Sequence, residues 1–215
     1  MIVELSHRIT EGMTTYPGVP GPVLGSHLTR EDSREVYAPG TEFHLGTITM
    51  ACNTGTYVDT PHHRYAEGPD LSQVPVDQLA DLPGLVVRAA GRPNVGMDLL
   101  DGLDVRGMAV LLHTGWDRHF GTPEYQQGHP YLTAEAAAWL AEQGPALVGI
   151  DSLNIDDTPP RGERPAHTLL LAAGIPLVEH LTGLAGLPDS GFRFHAAPPM
   201  ISGLGTFPVR AYAVV

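Results

Sequence analysis

The stretch HLGTITMACNTGTYVDTPHHR, residues 44–64, carries the pattern on which the reading of this chain turns. Its first part, 44–51, alternates and is β-branched, which predicts a strand. Its second part, 53–64, sets a phenol, a carboxylate and two adjacent imidazoles between Gly55 and Arg64. Asp59 and His63 lie four apart, separated by Thr60-Pro61. Proline disfavours helical geometry at Thr60, so an extended turn is expected that points both side chains into one cavity. A carboxylate and an imidazole suit Zn²⁺ or Mn²⁺ as ligands, and they also form a base-and-orienter pair. On spacing alone, an Asx turn at Asp59 beside exposed histidines is the simpler account.

Outward from this segment, residues 1–8 alternate enough for a strand. Residues 12–42, with Pro17, Pro20, Pro22 and Pro39, read as a long surface excursion of the kind that is usually functional or mobile. The runs 85–90, 108–114 and 146–151 are compact and apolar, as central strands are, and 175–181 and 207–215 add further strands. A helix is expected over 133–143, with Thr133 as N-cap and Gly144-Pro145 as its stop. A second spans 165–173, with Pro165 early and Gly174 beyond its end. Strands and helices mix without strict βα order, which predicts an α/β fold, one domain over 1–215, with a mixed sheet covered by the 133–143 helix.

Composition narrows the function classes. Twelve basic against 24 acidic residues give a formal net charge of −12, and every basic residue is Arg. The absence of Lys excludes Schiff-base and P-loop chemistry. The acidity argues against nucleic acid and anionic membrane as partners. A single cysteine, Cys52, excludes disulfide frameworks and thiolate zinc clusters, and it reads as a small buried hydrophobe ahead of the motif. MIVELSHRIT shows no basic n-region and no run nears a membrane span, so a cytoplasmic enzyme or small-molecule binder is expected. No G-x-S-x-G elbow exists.

The 53–63 segment resembles the H-x-G-T-H-x-D-x-P-x-H signature of the cyclase superfamily, which includes kynurenine formamidase, isatin hydrolase and related metal-dependent cyclic-amide hydrolases. Tyr16-Pro17-Gly18 is similar to that family's early Y-P-G motif, Thr114-Gly115-Trp116 to its T-G-W, and Gly149-Ile150-Asp151-Ser152 to its G-[IV]-D-[ST] turn. The pair His167 and Glu179 resembles its downstream H-x₁₁-E. The resemblance implies a swivelling β/β/α fold, a homodimer or homotetramer, and an arylformamidase-like hydrolase of tryptophan catabolism. Two positions depart from the signature: Asn53 and Tyr57 stand where it has histidines. Asp59, His63, His167 and Glu179 remain as metal ligands or catalytic groups, with His44 and His62 as substitutes. Four donors permit one divalent ion without requiring it, and the loss of two imidazoles favours a harder ion such as Mn²⁺.

Individual residues carry further expectations. His167, near a helix start, is expected to stay neutral because the local dipole disfavours its cation. Glu179 lies in the apolar run IPLVEHL, where a carboxylate is costly unless paired or coordinated. Tyr57 suits a proton or oxyanion donor as well as a ligand. Tyr16, Arg64 and Trp116 are placed as substrate-binding residues, Arg64 to clamp a carboxylate or carbonyl. Arg161 and Arg164 are expected to pair with Asp156, Asp157 or Glu163. Water attack on an amide of a small-molecule substrate is the leading reading, with His63 as base. A metal-independent cyclase, dehydratase or isomerase, and a non-catalytic binding relative, stay open beside it.

Overall fold

The apolar runs Leu82–Arg88, Ala109–His113 and Leu147–Ile150 cannot leave either face in water, and the fold sets them side by side. The computed structural model describes residues 1–215. In chain order its strands are β1 (Ile2–Glu4), β2 (Val23–Leu28), β3 (Leu45–Thr49), β4 (Tyr57–Asp59), β5 (Leu82–Arg88), β6 (Asn94–Val95), β7 (Ala109–His113), β8 (Tyr131–Leu132), β9 (Leu147–Ile150), β10 (Leu177–Glu179), β11 (Ser190–His195), β12 (Thr206–Pro208) and β13 (Tyr212–Val214). The α-helices are α1 (Arg30–Ser33), α2 (Ala134–Gln143) and α3 (Pro165–Ala172). Nine strands form one mixed sheet in the order β1-β13-β11-β5-β7-β9-β10-β4-β12. Its middle, β5-β7-β9-β10, is parallel, and antiparallel strands extend both flanks.

Alternation along the central strands feeds two cores. Ala109, Leu111 and Leu147 join a cluster on one face, while Val110, Leu112, Val148 and Ile150 join a second on the other. The first cluster also holds Ala213 from β13 and Val58 from β4, which lie near opposite ends of the strand order. Both flanks reach one core only if the sheet curls, so it is a half-barrel. Helices α2 and α3 cover the second core through Ala136, Ala137, Leu140, Ala166, Leu170 and Leu171. Helix α2 ends as its sequence dictates: the Thr133 hydroxyl accepts from the Ala136 N–H, and Gly144 leaves with φ 71°. The motif-bearing turns clamp neighbouring strand ends together. At the end of β9, Asp151 accepts the Thr114 N–H at 2.7 Å, the Thr114 hydroxyl at 2.6 Å and the Gly115 N–H at 2.9 Å.

Several elements differ from the sequence reading. The 12–42 excursion contains β2 and α1, and β2 pairs with β3 in a ribbon separate from the main sheet. The 44–51 strand therefore forms as β3, but outside the core, with Leu45 and Ile48 exposed. Residues 207–215 are two strands, β12 at one edge of the sheet and β13 near the other. Pro208 closes β12, since it has no N–H to continue a ladder. Strand β11, which the sequence reading did not name, alternates buried Phe192 and Phe194 with exposed Arg193, and β4 looks like a turn until its partners are known. Cys52 is half-buried and lies beyond β3. No helix is long and apolar enough to cross a membrane.

Under the first turn of the chain, His7 stacks on Phe120 with ring centroids 3.6 Å apart, and its Nε2 is buried without a partner. Burial lowers its pKa to about 4, against the pull of Asp117. An unfolded histidine titrates near 6.5, so stability from neutral His7 is complete above that pH and is lost as pH falls towards about 4. His7→Phe keeps the stack and removes the titrating nitrogen. Melting temperature measured from pH 8 to pH 4 should fall less steeply in the variant; an unchanged slope would refute the assignment.

Candidate active site

Strand β4 lies between β10 and β12, and its register builds the site. Glu179 stands opposite Tyr57, and Thr206 opposite Asp59. Residues two apart share a face of a strand, so Tyr57 and Asp59 point together, away from the core that takes Val58. The Tyr57 hydroxyl donates to Glu179 Oε2 at 2.7 Å, and the Thr206 hydroxyl donates to Asp59 Oδ1. Past Thr60, the turn Pro61–His63 swings His63 back towards β12. Gly205 makes this possible: a Cβ there would sit 2.2 Å from the His63 nitrogen.

The other half comes from the start of α3. The Asp156 carboxylate accepts the Ala166 N–H at 2.7 Å and the His167 N–H at 3.0 Å, capping the helix from a distant loop. It also binds His167 Nδ1 at 2.7 Å. That leaves His167 Nε2 facing Asp59 Oδ2 at 3.7 Å and Glu179 Oε1 at 3.8 Å. Asp59, His63 and His167 each offer a donor atom within 4.8 Å of the others, a group compact enough for one metal ion. Asp59 Oδ2 is buried and has no hydrogen-bond partner.

Charge in the cluster is unbalanced. Burial disfavours the cation of His167, but Glu179, Asp156 and Asp59 outweigh it and push its pKa up to about 10. In the absence of a cation the three carboxylates outweigh a helix dipole that Asp156 has already capped, and they favour the imidazolium over the neutral ring that the helix start alone predicts. Burial raises Glu179 to about 7, with Asp59 adding to the rise and His167, the Tyr57 hydroxyl and the Ile155 N–H opposing it. Burial, then the charges of Glu179 and Asp59, raise the Tyr57 phenol well above its ordinary range, so it holds its proton as a donor.

Thr206 also fixes the tautomer of His63. Its hydroxyl has one hydrogen, given to Asp59, so at 2.8 Å from His63 Nδ1 it can only accept. In its neutral form His63 therefore carries its proton on Nδ1 and leaves Nε2 bare.

His63, Asn154 and His167 form the wall shared by two chambers. An inner one of about 200 Å³ is also lined by Tyr16, Asn53, Tyr57 and Glu179. An outer one of about 350 Å³ is flanked by Arg64 and Arg164. Asp59, His63, His167, Glu179 and Tyr57 thus come together, with Tyr16 on the inner wall and Arg64 on the outer. Trp116 lines neither chamber; its indole N–H donates to the Tyr125 carbonyl. His44 is exposed and bonds Ser26, and His62 lies in a shallow cleft with Cys52. Arg164 bonds the backbone carbonyls of Gly162 and Glu163, and neither it nor Arg161 forms an ion pair with Asp157, Glu163 or Asp156, whose carboxylate is committed to α3. Asp156, Asn154, Gly205 and Thr206 are the residues that sequence reasoning missed. Thr206 lies 147 positions from Asp59, and no local spacing rule links them.

Fold and site together define an α/β protein with a curled mixed sheet and a buried carboxylate–imidazole cluster suited to a divalent cation. A family model described as "Putative cyclase" matches residues 3–157, and the chain belongs to that family. It is 29% identical over 212 residues to the kynurenine formamidase of Geobacillus thermodenitrificans, covering 97% of this chain and 95% of that protein. Among solved structures it is similar to isatin hydrolase A from Ralstonia solanacearum (TM-score 0.82, 21% identity, 99% of this chain and 91% of that one). It is also similar to a potential metal-dependent hydrolase with cyclase activity (TM-score 0.80, 24% identity, 99% and 96% covered). At these identities the two structures share its fold.

The tautomer assignment has a direct consequence. Thr206→Val removes the acceptor for the His63 Nδ1 proton, while Thr206→Ser restores it. Two-dimensional NMR of the imidazole nitrogens should show His63 protonated on Nδ1 in the wild type and the Ser variant, and a tautomer mixture in the Val variant. His63 protonated on Nε2 in the wild type would overturn the assignment.

Proposed function

We propose that this protein is a metal-dependent hydrolase of amide C–N bonds, acting on small arylformamides or cyclic amides. The observation that carries the reading is the bare, buried Asp59 Oδ2 facing the Nε2 of a histidine whose Nδ1 is tied to Asp156. A carboxylate behind a ligating imidazole is the arrangement that orients metal-binding histidines. Asp59 and His167 would hold the ion, with Glu179 beside the same His167 nitrogen; His63, the third donor within reach, is assigned to proton transfer because Thr206 engages its Nδ1. When bound, a divalent cation supplies Lewis-acid polarisation and neutralises the surplus negative charge.

The chain's own groups handle the proton and the substrate. His63 is the base: its Nε2 is bare, and its ring lines both chambers at the mouth of the site. It takes a proton from water as the oxygen attacks the amide carbon, and the tetrahedral centre collapses as the C–N bond breaks. The same proton passes to the departing nitrogen, releasing an amine and a carboxylic acid. Tyr57 keeps Glu179 in place by donating to Oε2, and the Ile155 N–H does the same at Oε1 at 2.7 Å. Tyr57 and Asn53 stand where the family signature has histidines. Tyr57 acts as a donor to a carboxylate, so the site is richer in oxygen and suits Mn²⁺ better than a three-histidine site would.

Formanilide hydrolysis, followed by amine release, tests this. Activity should vanish on chelation and return with Mn²⁺ or Zn²⁺. His63→Ala should cost at least about 100-fold in kcat, in line with the loss of a general base. Asp59→Ala should leave no activity that metal restores. Turnover unaffected by chelation and by Asp59→Ala would replace the metallohydrolase with a metal-free acid–base enzyme.

A further inference from the structure

Five arginines are paired with carboxylates: Arg34, Arg88, Arg92, Arg193 and Arg210. The other seven are not, although the chain carries twice as many acidic as basic residues, and of these seven only Arg64 and Arg164 line the outer chamber. Both flank the outer chamber, which has no hydrophobic residue in its lining and opens on His63 and His167. Their positions follow from the site itself, since Arg64 succeeds His63 and Arg164 is the residue before α3.

Arg164 is held in place before any ligand arrives. Its Nη1 donates to the Gly162 carbonyl at 3.2 Å and to the Glu163 carbonyl at 2.9 Å, which fixes the guanidinium on the rim. Donors that are already ordered lose less freedom on binding. The amides of α3 offer no competing anion site. Pro165 has none, Ala166 and His167 give theirs to Asp156, and Thr168 gives its own to the Arg164 carbonyl. An anion entering this chamber would therefore meet guanidinium groups, whose planar fork matches a carboxylate. Glu163 on the same rim, with Asp59 and Glu179 behind, opposes a second negative charge and so favours a monoanion over a phosphate dianion.

We propose that Arg64 and Arg164 form an anion subsite that selects substrates bearing a carboxylate beside the scissile amide. The inference rests on the amide-hydrolase reading, since it places the reacting carbonyl at His63 and the carboxylate in the outer chamber. Charge-assisted hydrogen bonds of this kind are strong enough to set selectivity between otherwise matched substrates.

The test compares formanilide with its carboxylate-bearing counterpart, formamidobenzoate, and measures benzoate binding by titration calorimetry without turnover. In the wild type the kcat/KM ratio should favour the carboxylate-bearing substrate. Arg64→Gln and Arg164→Gln should each reduce that ratio about tenfold, and the double variant about 100-fold. Glu163→Gln, which removes an opposing charge, should move it the other way. Benzoate binding should weaken in parallel, and contributions from any metal cancel in this comparison because the arginines are not its ligands. Equal losses on both substrates, or benzoate binding unchanged in the double variant, would overturn the subsite. Inorganic phosphate binding more tightly than benzoate would overturn its monoanion character. If the wild type hydrolyses neither substrate while benzoate binding still depends on the two arginines, the hydrolase reading falls and the subsite stands.

Discussion

Three buried carboxylates, Asp59, Asp156 and Glu179, surround the single imidazole of His167, and the local structure is organised around that imbalance. Burying a charge is costly unless it is paired and hydrogen-bonded, and each carboxylate meets this demand differently. Asp156 takes two helix amides and His167 Nδ1. Glu179 takes a phenol, a side-chain amide and a backbone N–H. Asp59 has Thr206 on one oxygen and nothing on the other. The unmet demand is thus confined to one atom, and that atom faces His167 Nε2. Without a cation, a proton on His167 balances part of the charge; a divalent cation bound between Asp59 and His167 would displace the Nε2 proton and balance more.

The half-barrel supports this cluster by register. One strand of three residues, β4, pairs on both sides, and each pairing supplies a functional contact: Tyr57 with Glu179, Asp59 with Thr206. A slip of one residue would turn Asp59 into the core and Val58 out of it. The parallel centre of the sheet keeps β10 in place beside β9, and the Asp151 clamp fixes the end of β9 to the end of β7. Position in the site therefore depends on packing laid down far from it.

Much of this was legible in the sequence. The runs at 85–90, 108–114 and 146–151 are apolar on both faces, and they became the buried centre of the sheet. Helix α2 announced itself through Thr133 and Gly144. Glu179 stood out as a carboxylate in an apolar strand, and the family signature tied it to Asp59, His63 and His167, whose donor atoms lie within 4.8 Å of one another. What was hidden depends on partners distant in sequence. Tyr57–Asp59 reads as part of a turn between Gly55 and Pro61, and only pairing with β10 and β12 makes it a strand. The protonation of His167 depends on Asp156 and Glu179, which a helix-dipole argument does not contain. Trp116 carried a family-like motif yet serves the scaffold, because its turn is pinned to Asp151 and its indole to Tyr125.

If Asp59 and His167 seat a cation, His63 stays bonded to Thr206 and free at Nε2. Anomalous diffraction at the manganese edge, from crystals soaked in Mn²⁺, locates the ion directly. One peak per chain is expected, bounded by Asp59, His167 and Glu179, with the His63–Thr206 hydrogen bond intact. No peak in the cluster, or an ion ligated by a His63 nitrogen, would contradict this assignment.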